Sequence, residues 1–200
     1  IHYYFRHHEE GGEPKHILVF TDNKDSNPAL EPDELPFHHE GHSDEFDAIR
    51  NLGRSEQMRT RKVTLQDWDY KKRGSVSENA PTVLEIGADR DLERYRYPGG
   101  FVAESGAGDA ATGKHLSKVI MEAEESSHLR FNGDSQIRTL APGHTFSLYD
   151  HPFDEFNVEY MVLAVWHHGR NNLLAAGGGG GGGDYGNEFT LQPHQTVYRA

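Results

Sequence analysis

The stretch from Val158 to Trp166 carries apolar side chains on both parities. A strand with one face in water alternates apolar and polar residues, whereas one that does not alternate belongs in the middle of a sheet with both faces covered. Such a strand needs neighbours on either side, and the sequence offers them. Ile1, Tyr3 and Phe5 alternate with His2, Tyr4 and Arg6, and beyond the turn region Glu9–Pro14 comes Ile17-Leu18-Val19-Phe20. Together these predict a hairpin with a longer loop. Phe146 and Leu148 follow a Pro142-Gly143 turn, Val83-Leu84-Glu85-Ile86 and Leu92–Tyr97 are shorter strand candidates, and Phe189 with Leu191 forms a last one.

From Phe46 to Tyr70 the pattern is again that of strands. Val63 and Leu65 share one parity while Trp68 and Tyr70 share the other, which predicts a bulge or bend near Gln66-Asp67, as where a sheet curls into a barrel. A single helix interrupts the series. Leu116, Val119, Ile120 and Ala123 follow helical spacing over about residues 109–128, with Asp109 or Thr112 as the cap. Asp22 to Ser43, rich in Pro, Asp, Glu, Asn and His, reads as a surface loop or linker. Lys71 to Pro81 reads as a polar connector, and Pro98-Gly99-Gly100 as a break. The run Gly177–Gly183 reads as a flexible loop that packs no core. The expected class is mainly β (a β-rich α+β fold), barrel-like, with one main amphipathic helix, and not an alternating βα fold.

Composition narrows the function. Two hundred residues suffice for one sizeable domain or two small ones. The net charge of -12 opposes general nucleic-acid binding, which needs a basic face, and opposes attraction to anionic membranes. Without cysteine there is no disulfide, thiolate zinc site or cysteine nucleophile. No apolar run is long enough to cross a bilayer. The opening Ile1-His2-Tyr3-Tyr4-Phe5 has no basic leader or signal-peptide core and reads as starting inside a strand, so a fragment is expected whose upstream strand partners lie elsewhere.

Three patterns invite a chemical reading. Gly108-Asp109-Ala110-Ala111-Thr112-Gly113-Lys114-His115 is one residue from a phosphate-binding loop, with Lys114 placed to reach a phosphate, but His115 stands where a hydroxyl must hold magnesium. Its plain alternative is a small-residue loop entering a capped helix. Histidines cluster at His7-His8, His38-His39, His42 and His167-His168, and His39-Glu40-Gly41-His42 is one residue too short for two imidazoles on one helical face; solvated loop histidines are the plain reading there, and a polar cap at a sheet edge for His167-His168. Asp44, Glu45 and Asp47, then Asp154 and Glu155, are acidic groups that fit a solvated face. Arg59-Thr60-Arg61-Lys62 and Lys71-Lys72-Arg73 read as strand-end or interface charges. No G-x-S-x-G elbow is present. No catalytic, cofactor-binding or metal-binding residue is assigned, and no cofactor is expected.

Several segments, in order, resemble the VgrG spike proteins of type VI secretion, in the hub region those proteins share with phage late-control D proteins and contractile phage tail hubs. They are Tyr3-Tyr4-Phe5-Arg6-His7, His16–Phe20, Lys62–Lys72 with its Gln66-Asp67-Trp68-Asp69-Tyr70 centre, and Tyr95–Gly100. After these come Leu140–Phe146, Glu159–Leu163, Asn187-Glu188-Phe189, Pro193 and Tyr198-Arg199. The resemblance implies barrel-like tube domains of the phage-tail-hub type. Residues 1–45 would hold the end of a first hub barrel plus a polar linker, and 46–200 a second barrel. It implies a non-enzymatic, structural role joining a threefold spike to a sixfold Hcp-like tube for contraction-driven puncture. The implied partners are two further copies of the chain in a full-length homotrimer, the hexameric tube, and secreted effectors or adaptors, with no nucleic acid and a target membrane met only as part of the spike. Assembly in the bacterial cytoplasm and then secretion are implied. The alternative is a hub or baseplate protein of a contractile phage tail, and a weaker one a metal- or nucleotide-dependent hydrolase.

Overall fold

A computed structural model describes residues 1–10, 13–38, 47–85, 92–102, 109–170 and 184–199. The chain falls into two compact units, Ile1–Ser55 with Arg130–Thr196, and Glu56–Leu129 with Val197–Ala200. The first therefore draws on residues from both sides of position 45.

In the first unit a hairpin pairs β1 (His2–Glu10) with β2 (Glu13–Thr21), in register from His2 opposite Thr21 to Glu10 opposite Glu13. Pairing runs further into the polar residues than the expected long loop allows, because backbone ladders on a solvated ribbon do not require apolar side chains. Asp22–Ser43, expected as loop, instead contains a short 3-10 turn at Lys24–Ser26 and strand β3 (Ala29–Pro36). Prolines 28, 32 and 36 hid this strand, but proline is tolerated where one side of a strand has no partner. Indeed β3 is the outermost strand of its sheet, pairing parallel to β9 (Thr145–Tyr149) with a register interruption between Ala29 and Glu34.

That sheet has six strands, in the order β3-β9-β10-β11-β8-β4, the others being β4 (Ile49–Glu56), β8 (Leu129–Ser135), β10 (Glu159–Arg170) and β11 (Asp184–Pro193). The apolar stretch from Val158 forms most of β10, flanked by β9 and β11 as expected. Burial on both faces holds only at Tyr160, Met161 and Val162. An irregularity between Val162 and Ala164 then re-aims the strand, and Trp166 is 59% exposed. The two outermost strands meet: Phe37 forms a parallel bridge with Ile49, and His38 N donates to Ile49 O at 2.9 Å. The sheet therefore curls and closes at that end, around an interior that includes Leu35, Ile49, Phe131, Phe146, Tyr160, Phe189 and Leu191. Phe131 meets Tyr160 edge-on with centroids 5.0 Å apart.

The second unit has a three-stranded sheet, β6-β5-β7, comprising β5 (Lys62–Asp69), β6 (Gly74–Pro81) and β7 (Glu93–Arg96). Helix α1 (Ala110–Ser126) completes it. Lys71–Pro81, expected as a connector, supplies β6, whose Val76 and Ala80 face the core while its other side chains are small or polar. Val83–Glu85, expected as strand, is not one; Val83 is exposed, and its N–H and the Thr82 hydroxyl both donate to the buried Glu125 carboxylate. Ile86 lies outside the described residues.

The bend expected at Gln66-Asp67 is absent. β5 pairs with β6 without a shift from Lys62 opposite Pro81 to Asp69 opposite Gly74. Val63, Leu65, Asp67 and Asp69 all point inward, and Trp68 points out. Two aspartates occupy inner-face positions because backbone amides replace the water they lose. Asp67 accepts from Gly99 N (2.9 Å), Phe101 N (2.8 Å) and Val102 N (3.2 Å), and Asp69 from Lys71 N and Lys72 N. The buried stripe of α1 is also displaced from the one expected: it runs through Gly113, Ser117 and Met121, with Leu116 and Ile120 at its margin. Small residues let the helix approach the sheet, and a methyl group at Gly113 would meet Glu78 and Phe101 at 2.8 Å.

Candidate functional site

The near-phosphate loop begins at Gly108, outside the described residues, and its remainder is the start of α1. Asp109 caps the helix, accepting from Ala111 N (3.1 Å) and the Thr112 hydroxyl (2.5 Å). The Thr112 hydroxyl first and the Ala111 amide second hold its carboxyl below the usual range. A phosphate at this helix start would meet a carboxylate already seated on the free amide. From Asp109 onward the local sequence is the capped helix of its plain reading.

The described histidines are dispersed. His7 stacks on His16 across the hairpin with centroids 4.6 Å apart, His167 bonds the Tyr185 hydroxyl at 2.7 Å within the sheet, and His39 and His42 lie outside the described residues. Among the described residues no three His, Asp or Glu side chains converge as metal ligands do. Asp44 and Glu45 are also outside; Glu155 pairs with Arg54 at 3.2 Å. Of the basic runs, Lys62 pairs with Glu93, Arg59 approaches Glu124 at 4.0 Å, and Lys72 approaches Asp69 at 3.7 Å. These charges stand at or just beyond the ends of β5. None of these arrangements joins a nucleophile to a base.

What the fold does present is apolar surface. On one face of the hairpin lie Ile1, Tyr3, Phe5, Leu18 and Phe20, with Tyr3 62% and Phe20 68% exposed. Tyr3 touches Phe5 and Phe20, each with centroids 6.2 Å apart. The opposite face is anchored: His2 bonds Asn27 at 3.2 Å, the Tyr4 hydroxyl donates to Ser26 O at 3.1 Å, and Tyr4 rests on Gly143. A two-stranded ribbon is marginal in water without such support. On the second unit, the outer face of β5 and β7 shows Trp68 and Tyr95, the latter donating to Gln66 Oε1 at 2.7 Å. Contiguous apolar surface of this kind is a candidate contact surface. Tyr3-Tyr4-Phe5, apolar on both parities, was its signal in the sequence.

The model of the family described as phage tail baseplate hub (GPD) matches residues 1–173. The chain belongs to this hub family. Among relatives of this hub-family chain, the type VI secretion system spike protein VgrG4b of Pseudomonas aeruginosa is 31% identical over 172 residues, which are 85% of this chain and 20% of that protein. The spike protein VgrG5 of the same organism is 30% identical over 170 residues, again 85% and 20%. The chain thus spans about a fifth of the length of these relatives. A tail protein from Neisseria meningitidis aligns in structure over 81% of this chain and 45% of that one, with a TM-score of 0.49 and 10% identity. The hub resemblance read from the ordered motifs is confirmed by the family match. No helix among the described residues is long and apolar enough to cross a membrane.

Proposed function

We propose that this hub-family segment is a non-enzymatic, force-bearing part of a type VI secretion spike. In that role three copies of the longer protein assemble, seat on an Hcp-like hexameric tube, and are driven with their effectors into a target cell. The carrying observation is the hub-family match across residues 1–173, supported by the spike proteins among its relatives. A threefold spike meets a sixfold tube most simply if each subunit contributes two similar barrels. The sheet closed at Phe37–Ile49 supports one such barrel, and the hairpin face supports contact with other protein. The protein would assemble in the cytoplasm and leave with the spike.

The test uses a full-length spike containing this segment. Its mass in solution should be that of a trimer, and it should cap purified Hcp-like tubes. A Tyr3→Ser/Phe20→Ser variant should lose capping or trimerisation at least tenfold, while the segment itself loses no more than about 1 kcal/mol, the scale of the Tyr3–Phe20 cross-strand pair. A monomeric spike that ignores the tube sinks the proposal. The family's own description supports a second reading, a phage baseplate hub; capping of a phage tail tube in place of the Hcp-like one would select it.

A further inference from the structure

Strands β10, β11, β8 and β4 together line a groove of about 620 Å³. Across it Trp166, Glu188 and Asp134 stand in one row, Trp166 directly opposite Glu188 and Glu188 directly opposite Asp134. The row ends at Asn51, whose Nδ2 donates to Asp134 Oδ1 at 2.8 Å. In the adjacent row the Thr190 hydroxyl donates to Asn132 Oδ1, also at 2.8 Å. These bonds fix the floor of the groove, while the Trp166 ring stands largely in solvent.

The electrostatics are incomplete. Like charges directly opposite on neighbouring strands are unfavourable, and among the described residues neither carboxylate forms an ion pair with a Lys, an Arg or the His168 imidazole that also lines the groove. A cation between them would relieve the repulsion, and the indole face beside them is a cation-binding surface in its own right. We propose that this groove receives an arginine side chain presented by a partner protein. The planar guanidinium lies along the Trp166 ring, and its N–H fork donates to Glu188 and Asp134. Arginine suits the site better than lysine because its fork bridges two acceptors while its plane stacks. The volume exceeds one side chain, so flanking backbone of the partner segment meets Asn132 and Thr190. A neutral sugar could use the indole and the amides but would leave the paired carboxylates uncompensated. The assignment rests on this groove alone and stands whether or not the hub role holds.

The test uses the chain carrying Trp68→Phe, so that Trp166 is the single tryptophan of the two, and an N-acetylated tetra-arginine amide as probe. Binding should quench Trp166 emission, weaken as salt rises, and weaken about tenfold in the Glu188→Gln/Asp134→Asn variant. By calorimetry Trp166→Ala should weaken it several-fold. Glu31→Gln/Asp33→Asn makes the same charge change on exposed β3 positions and should cost less than twofold. Tetra-lysine should bind several-fold more weakly than tetra-arginine. Absence of quenching, equal losses in the two charge variants, or preferential binding of chitotetraose insensitive to the carboxylates would each overturn the assignment.

Discussion

Replacing Asp67 by alanine removes a carboxylate that serves three backbone amides between Gly99 and Val102. Gly99 N keeps a second acceptor, Gln66 O at 2.9 Å, so two donors, Phe101 N and Val102 N, lose their partner. An orphaned buried donor costs roughly 1–3 kcal/mol. Phe101 is buried and Val102 only half-buried, so one donor bears the full penalty and the other regains water. The expected loss is about 3 kcal/mol, a large share of the ~5–15 kcal/mol that holds a domain together. Asp67→Asn keeps one oxygen but turns an amide donor toward the other N–H, and should cost about half as much. The assay is urea unfolding followed by Trp68 emission in a Trp166→Phe background, which isolates the second unit. With a slope of about 1–3 kcal/mol per molar urea, a loss of about 3 kcal/mol should lower the midpoint by about 1–3 M for alanine and leave it nearly unchanged for the surface control Ser77→Ala. The reasoning fails if Asp67→Leu proves as stable as the parent, because an apolar side chain would then suffice at an inner-face position.

Three further outcomes are expected. Gly143→Ala should cost about 3 kcal/mol by thermal melt against about 1 kcal/mol for Gly100→Ala: both glycines have positive φ, but only at Gly143 does a new Cβ meet another atom, Tyr4 Cβ at 2.2 Å. Burial pushes the Tyr160 hydroxyl, which donates to Phe156 O, well above its ordinary value of 10.0. Its contribution is therefore complete below pH 10 and lost as pH rises toward the raised value, and alkaline melts of Tyr160→Phe should lack that part of the decline. The Asp109 cap, with its carboxyl lowered from 3.8, should support α1 fully above that pH and progressively less below it. Circular dichroism of Asp109→Asn should show a helix start insensitive to acid.

Legibility followed the chemistry of each segment. Where burial was purely apolar, as at Tyr160–Val162, Phe146 and Leu191, alternation and its absence identified the strands. The capped helix was also legible, with Asp109 the cap of the two offered, although its buried stripe follows the small residues Gly113 and Ser117 and not the apolar spacing. Failures came where polar groups do structural work. At Asp67 and Asp69 amide donors substitute for solvent, so the inward face continues through two carboxylates, and the switch of apolar parity to Trp68 and Tyr70 predicted a bend that is not there. At β3 and β6, prolines and small polar residues concealed strands defined by their backbone partners. The groove at Trp166 was invisible for a different reason: its residues come from four strands spread between Asn51 and Thr190, and only the register brings them together.

The division of the chain sets an order on its birth. The main segment of the second unit, Glu56–Leu129, is interposed between the two segments of the first, so as the polypeptide leaves the ribosome β5, β6, β7 and α1 are made before β8 to β11 exist. During that interval β3 and β4 have the Phe37–Ile49 seam but none of the four strands that later separate them in the sheet. The nascent chain must therefore carry Leu30, Leu35, Phe37 and Ile49 uncovered until translation has passed residue 193. A product truncated near residue 129 would keep its helix-backed sheet and leave those side chains with nothing to close over them.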